Sequence, residues 1–140
     1  MLRKLRAIVI DDEEMVRTLY QRVLENRGYE VLVFEKAFIC EQCQNSAAET
    51  CADLILSDCR MPEISGVDFA QNLHDLSCRI PNIALISGAW EQEKMEHAVK
   101  LGCRIFTKPL EMSEFNLWLD EVEKNIDLSK QLTDWLAGLQ

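Results

Sequence analysis

The chain has 140 residues, of which 48% are hydrophobic and 28% are charged, and its formal net charge is −9. This length and composition predict one globular domain with a full core, and the acidic balance argues against binding nucleic acid, which requires clustered Lys and Arg. The N-terminal apolar run, Ala7 to Ile10, is too short for a signal peptide or a membrane span. We therefore expect a cytoplasmic protein with no membrane segment.

In the first half of the chain, short apolar runs alternate with segments of helical periodicity. The predicted elements, in chain order, are a strand at Ala7 to Ile10, a helix at Glu13 to Arg27, a strand at Tyr29 to Phe34, a helix at Lys36 to about Glu49 and a strand centred on Leu54 to Leu56. The first helix ends at Gly28, a residue type common just after a helix. Its expected apolar face comprises Met15, Val16, Leu19, Tyr20, Val23 and Leu24.

The second half continues the alternation. A helix follows Ser65-Gly66 with Val67, Phe69, Ala70, Leu73 and Leu76 on its apolar side, and Ile83 to Ile86 predicts the fourth strand. The remaining elements are a helix at Glu91 to Leu101 with Met95, Ala98, Val99 and Leu101 apolar, a strand at Arg104 to Thr107, and a last helix carrying Phe115, Trp118, Leu119, Val122 and Ile126.

Five strands that alternate with helices predict a parallel sheet, because each return to the same sheet edge needs a crossover. Strands as uniformly apolar as these are covered on both faces, so the expected fold is a three-layer α/β sandwich. We assign residues 1–125 to this domain and residues 126–140 to a C-terminal helical extension or connector. The apolar residues of that extension leave packing on the domain, a dimer contact and a connector as open alternatives.

Polar side chains follow all five predicted strands, but Glu35-Lys36 after the second strand has no role comparable to the other four. Asp11-Asp12 follows the first strand, Asp58 the third, Ser87 the fourth and Lys108 the fifth. In an open parallel sheet the carboxyl ends of the strands form the ligand-binding edge, so these residues are expected to converge there. Clustered carboxylates repel one another and bind cations, and oxygen ligands without nearby His or Cys favour Mg²⁺.

This set of residues suits phosphoryl transfer. Asp58 would attack phosphorus and form an acyl phosphate, with Mg²⁺ neutralising the donor. Ser87 would donate a hydrogen bond to the transferred group, and Lys108 would pair with another of its oxygens.

The sequence resembles the receiver domain of two-component response regulators. The residues that carry the resemblance are Ile8-Val9-Ile10-Asp11-Asp12-Glu13, Leu56-Ser57-Asp58-Cys59-Arg60-Met61-Pro62, Gly66, Leu85-Ile86-Ser87-Gly88 and Phe106-Thr107-Lys108-Pro109. They cover about residues 5 to 125 in the order and spacing of that family. The resemblance implies a flavodoxin-like fold with five helices and strand order 2-1-3-4-5.

The resemblance also implies a role for each site residue. Asp58 would be the phospho-acceptor and Asp12 a direct Mg²⁺ ligand. Asp11 would hold the ion mainly through water, and the backbone carbonyl of Arg60 would be a further protein ligand. The Lys108-Pro109 peptide bond is often cis in this family.

A conformational switch is the other implication of the resemblance. Ser87 would move toward the phosphoryl group and free space that the ring of Phe106 then fills. The implied partners are a sensor histidine kinase or phosphotransfer protein and a downstream effector protein or output domain, with a homodimer left open. The chain would be a signalling domain rather than an enzyme with an outside substrate.

Three alternatives remain open at this point. The first is a receiver-like domain that binds partners without phosphorylation. The second is a phosphatase with an aspartate nucleophile, but such enzymes usually carry an acid two residues after the nucleophile, where this chain has Arg60. The third is a metal or redox site at Cys40 and Cys43, or redox sensitivity at Cys59 beside the acceptor.

Overall fold

The computed structural model describes residues 2–37, 50–61, 63–75 and 80–132. Strands and helices alternate through these residues, as the apolar pattern predicts. The elements are β1 (Leu5–Ile10), α1 (Glu14–Asn26), β2 (Tyr29–Phe34), β3 (Leu54–Asp58), α2 (Gly66–Asp75), β4 (Asn82–Ser87), α3 (Gln92–Lys100), β5 (Arg104–Thr107) and α4 (Met112–Lys124).

The five strands form one parallel sheet in the order β2-β1-β3-β4-β5. The predicted fold class and strand order are therefore confirmed. Ile8 of β1 lies opposite Leu32 of β2 on one side and Ile55 of β3 on the other. The strand order reverses direction between β1 and β3, which is where such sheets bind ligands.

Both faces of the sheet are covered, as the uniformly apolar strands predict. In β3, Leu54 and Leu56 belong to a core cluster with Phe115 of α4, whereas Ile55 belongs to a second cluster with Phe69 of α2. Successive side chains of a strand point to opposite faces, so a single apolar strand contributes to two cores. This two-sided burial fixes the register of the strands that carry the polar end residues.

Two helices bury less of their apolar residues than the sequence predicts. In α1, Tyr20 and Leu24 are buried, but Met15 is 86% exposed and Leu19 is 49% exposed. In α3, the buried residue is the small Ala98, whereas Val99 is 59% exposed. Met15, Leu19 and Val99, and the 38% exposed Met95, thus belong to the expected apolar sides of these helices but lie outside the core, because each helix contacts the sheet along a narrow stripe.

Parts of the remaining predictions lie outside the described residues. These are most of the helix predicted from Lys36 to Glu49, Leu76, and residues 133–140 of the extension, and the described ranges contain four helices. The beginning of the extension is described: Ile126 packs against the core, and the Arg3 amide donates to the Leu128 carbonyl at 3.1 Å. Among the described residues, no helix is long and apolar enough to span a bilayer.

Candidate functional site

The predicted polar residues stand at the carboxyl ends of their strands. Asp11 directly follows β1, Asp58 and Ser87 are the last residues of β3 and β4, and Lys108 directly follows β5. The Lys108 Nζ atom lies 3.2 Å from Asp11 Oδ2 and 3.2 Å from Asp58 Oδ2. Three residues that are far apart in sequence thus form one bridged group. The Lys108–Pro109 peptide bond is cis.

The charges of this group are unbalanced. The side chain of Asp11 is 0% exposed and that of Asp58 is 7% exposed, and both share one ammonium. Burial, with a smaller contribution from the Asp58 charge, raises the pKa of Asp11. Burial alone would lower the pKa of Lys108, but the charges of Asp58 and Asp11 outweigh it and raise that pKa. Two carboxylates against one ammonium make this edge attractive to a further cation.

Backbone contacts hold Asp58 in place. The Arg60 amide donates to Asp58 Oδ1 at 3.1 Å, and the Gly66 amide donates to the Cys59 carbonyl at 2.8 Å. A Cβ atom on Gly66 would lie 2.8 Å from the Asp58 carbonyl oxygen and 2.9 Å from Cys59 Cα. The start of α2 therefore approaches the Asp58 backbone more closely than any residue with a side chain permits.

An acidic group lies at the start of α1. One ligand oxygen from each of Asp11, Asp12 and Glu13 lies within 4.8 Å of the others. Asp11 is buried, whereas Asp12 and Glu13 are exposed, and Asp12 makes no hydrogen bond or ion pair with any other described residue. An all-oxygen donor set of this kind suits a hard ion such as Mg²⁺. Sequence reasoning missed Glu13 as a member, although it directly follows the two aspartates.

Asp58 and the Arg60 carbonyl do not belong to that acidic group. Lys108 connects Asp58 to the acidic group, because its ammonium contacts both Asp11 and Asp58 Oδ2. Asp58 Oδ1 accepts the Arg60 amide. Their roles as metal ligands therefore stay predictions.

The hydroxyl of Ser87 is engaged within its own loop. Ser87 Oγ donates to the Ala89 carbonyl at 3.2 Å and accepts from the Ala89 amide at 3.2 Å. In β4, Leu85 faces the cluster beneath α3 and Ile86 faces the opposite core, so alternation places Ser87 on the α3 side. Ser87 thus lies at the predicted strand end, where its carbonyl accepts the Lys108 amide at 2.9 Å, but its hydroxyl makes no hydrogen bond with the Lys108 or Asp58 side chain.

The ring of Phe106 lies on the other face. It is 1% exposed and makes edge contacts with Phe115 and Trp118, at centroid distances of 6.2 and 5.7 Å. The residue of β5 that faces the α3 side, as Ser87 does, is Ile105. The predicted switch role of Phe106 stays a prediction that this packing does not support, because a ring on the opposite face does not adjoin space vacated by Ser87.

The described cysteines, Cys51, Cys59 and Cys103, are buried. Burial raises the pKa of Cys59, and it raises the pKa of Cys103 to about 11. Thiols in this state are poor nucleophiles, so the geometry favours packing over redox sensitivity at Cys59. Cys40 and Cys43 lie outside the described residues.

Comparison with known proteins agrees with this geometry. The family model of the response regulator receiver domain matches residues 7–119. The chain is 34% identical over 104 residues to the transcriptional regulatory protein FixJ of Rhizobium meliloti, covering 74% of this chain and 49% of that protein. It is 35% identical over 107 residues to the response regulator protein TodT of Pseudomonas putida, covering 76% and 45% respectively. The chain thus spans less than half the length of these relatives.

A solved structure shows the same fold. The non-phosphorylated HemR receiver domain from Leptospira biflexa superposes with a TM-score of 0.71 at 21% identity, covering 89% of this chain and 98% of that one. This likeness concerns the fold alone, whereas the family match covers the strand ends that carry Asp11, Asp58, Ser87 and Lys108. The chain belongs to the response regulator receiver domain family.

Proposed function

We propose that Asp58 accepts a phosphoryl group and that the modified domain signals to a partner. The observation that supports this most directly is the single Lys108 ammonium at 3.2 Å from both Asp11 and Asp58. A structural ion pair would use one carboxylate for one ammonium. An excess of buried negative charge suits a site that takes up a metal ion and a phosphoryl donor together.

In the proposed step, an Asp58 carboxylate oxygen attacks phosphorus. The bond from phosphorus to the donor breaks, the donor leaves with the electron pair, and an acyl phosphate forms. Lys108 already contacts Asp58 Oδ2, so its ammonium would pair with an incoming phosphoryl oxygen without a large movement. Hydrolysis reverses the modification when water attacks phosphorus and the carboxylate leaves.

Mg²⁺ is the cation that this donor set fits. Asp12 and Asp11 are the proposed ligands, with the Asp58 carboxylate and the Arg60 carbonyl completing the protein contribution and Glu13 close by. When bound, the ion would neutralise negative charge on the phosphoryl donor. The exposure of Asp12 and its lack of other partners among the described residues leave its oxygens available for this role.

The proposed phosphoryl donors are a sensor histidine kinase or a phosphotransfer protein in the cytoplasm, and the proposed recipient of the signal is an effector protein or an output domain. These donors and recipients are inferred from the receiver family, and not from a contact in the structure. The domain would turn over only its own acyl phosphate. A phosphatase acting on outside substrates is disfavoured, since Arg60 stands where the leaving group would need an acid.

Intact mass spectrometry tests the proposal. The chain is incubated with Mg²⁺ and a small acyl phosphate, and we expect the added mass of one phosphoryl group, lost when Mg²⁺ is chelated beforehand. Asp58→Asn should add nothing. Asp53→Asn is the matched control, because this carboxylate directly precedes the same strand at its other end, and the variant should still be modified.

No added mass on the parent chain, or equal modification of Asp58→Asn, would refute the proposal. Repeated turnover of a phosphate ester by the parent chain would favour the phosphatase alternative instead.

A further inference from the structure

Trp90 links the loop that follows Ser87 to the edge strand β5. It lies three residues after Ser87 and directly before the residue that precedes α3. Its indole Nε1 donates to the Phe106 carbonyl at 2.9 Å. The half-buried ring also packs against the cluster beneath α3 that contains Leu85 and Ile105. One side chain therefore joins the loop to the β5 backbone by a directed hydrogen bond and to the core beneath α3 by packing.

The neighbouring residue, Ala89, is the present partner of the Ser87 hydroxyl, with both of its hydrogen bonds at 3.2 Å. A serine hydroxyl has one proton to donate. If Ser87 donates to a phosphoryl group on Asp58, as the proposed function requires, it must release the Ala89 carbonyl. The residue freed by that exchange is covalently joined to Trp90.

The packing does not support the alternative route from Ser87 to β5 through the ring of Phe106. That ring lies on the opposite face, nearly inaccessible, between Phe115 and Trp118. Trp90 instead reaches the backbone of Phe106 from the loop itself, and it is the more exposed of the two aromatic residues.

We propose that Trp90 is a positioning residue that couples the Ser87 loop to β5 and α3 through its bond to the Phe106 carbonyl. The inference rests on the proposed phosphorylation of Asp58. Release of Ala89 would move Trp90, and the start of α3 would move with it. The exposed Met95 and Val99 of α3 would then report the change at the surface.

Indole resonances in ¹⁵N NMR of the full chain test this directly, with Trp90, Trp118 and Trp135 assigned by single Trp→Phe variants. Phosphorylation is followed on the same sample by intact mass. We expect the Trp90 indole signal to shift and its proton to exchange with water roughly two- to tenfold faster, as for loss of one neutral hydrogen bond. The buried Trp118 signal should stay in place.

The variant Trp90→Phe adds a second readout, since it removes the N–H and keeps an aromatic ring. It should still be phosphorylated, but the methyl signals of Met95 and Val99 should respond less than in the parent chain. Trp118→Phe is the matched control and should keep the full response. A phosphorylated parent chain with an unmoved Trp90 indole would overturn the coupling alone. Failure of Asp58 to gain mass would overturn the proposed function and this inference with it.

Discussion

The two ends of β3 each carry a buried aspartate paired with a cation, but the pairings differ. At the amino end, Asp53 accepts hydrogen bonds from Nη1 and Nη2 of Arg3, at 2.7 and 2.9 Å, and from the Arg6 amide at 2.8 Å. At the carboxyl end, Asp58 receives one ammonium contact at 3.2 Å, shared with Asp11. The first carboxylate has a two-pronged cationic partner of its own, whereas the second accepts one backbone amide, from Arg60, and shares its single cationic donor with Asp11.

This difference separates a structural ion pair from a reactive one. A bidentate guanidinium pair is geometrically fixed and gives both carboxylate oxygens a charged donor. A lysine is a compact charge on a flexible stem, so it can follow a carboxylate, a metal or a phosphoryl oxygen. Burial and charge alone would not tell these two sites apart, because both aspartates are nearly inaccessible. The number and geometry of the partners do.

Removing the Asp53 ion pair should have the largest effect on stability. Asp53→Ala removes the anionic partner of the Arg3 guanidinium and the side-chain acceptor of the Arg6 amide in a largely buried place. We expect the free energy of unfolding to fall by about 2–4 kcal/mol, toward the lower part of the range for a broken buried pair because Arg3 is 19% exposed. Urea unfolding at neutral pH measures it. If the free energy of unfolding falls no more than for a surface substitution, Asp53 does not form a structural ion pair.

Adding a side chain at Gly66, next to the Asp58 backbone, should have the next largest effect on stability. In Gly66→Ala the new methyl meets the backbone of Asp58 and Cys59 at under 3.0 Å, so β3 and α2 must separate. We expect a loss of about 1–3 kcal/mol in unfolding free energy and slower phosphoryl uptake by Asp58.

Gly88→Ala is the control for this change. Gly88 directly follows Ser87, but an added Cβ there meets nothing within 4 Å, and its backbone needs no positive φ. Its unfolding free energy should stay within about 0.5 kcal/mol of the parent value. Equal losses in the two variants would show that the close approach at Gly66 is unimportant.

Neutralising Asp58 should change the free energy of unfolding by a smaller amount and in the opposite direction. Asp58→Asn without Mg²⁺ relieves the repulsion with Asp11 and leaves that residue the sole anionic partner of Lys108. The chain should become more stable by up to about 1 kcal/mol in urea unfolding at neutral pH. Asp53→Asn, measured alongside, should instead lose stability. Equal losses of stability in both variants would contradict the distinction between a structural ion pair at Asp53 and a reactive one at Asp58.

The smallest effect concerns thiol reactivity. Burial raises the pKa of Cys59 and of Cys103, the latter to about 11, so at pH 8 both should resist alkylation in the folded chain. Peptide-resolved mass spectrometry should find them labelled readily only after denaturation. Rapid native labelling of Cys59 would reopen the redox alternative.

Much of the site follows from sequence because strand ends are local features. The apolar runs locate Asp11, Asp58, Ser87 and Lys108 at the ends of strands. In a parallel sheet, the carboxyl ends of all strands lie at the same edge. The face of Phe106 could not be read in the same way. It depends on the register of β5 against β4, where Phe106 lies opposite Ile86 rather than Ser87.

Longer-range features were beyond sequence reasoning for a similar reason. Arg3 and Asp53 are fifty positions apart, and neither stands out from ordinary surface charge until the sheet places them side by side. The exposure of Met15 and Val99 depends on how narrowly a helix rests on the sheet, which helical periodicity alone does not specify.

Arg3 has one further set of contacts, with the segment that leaves α4. Its side chain donates to the Lys130 carbonyl at 2.5 Å and to the Asp127 carbonyl at 3.4 Å. Arg3 therefore holds residues 127–130 at the amino ends of the strands, the edge of the sheet opposite Asp58 and Lys108. A module fused in place of the residues after Lys130 would start at that edge and should leave Asp58 accessible to a phosphoryl donor.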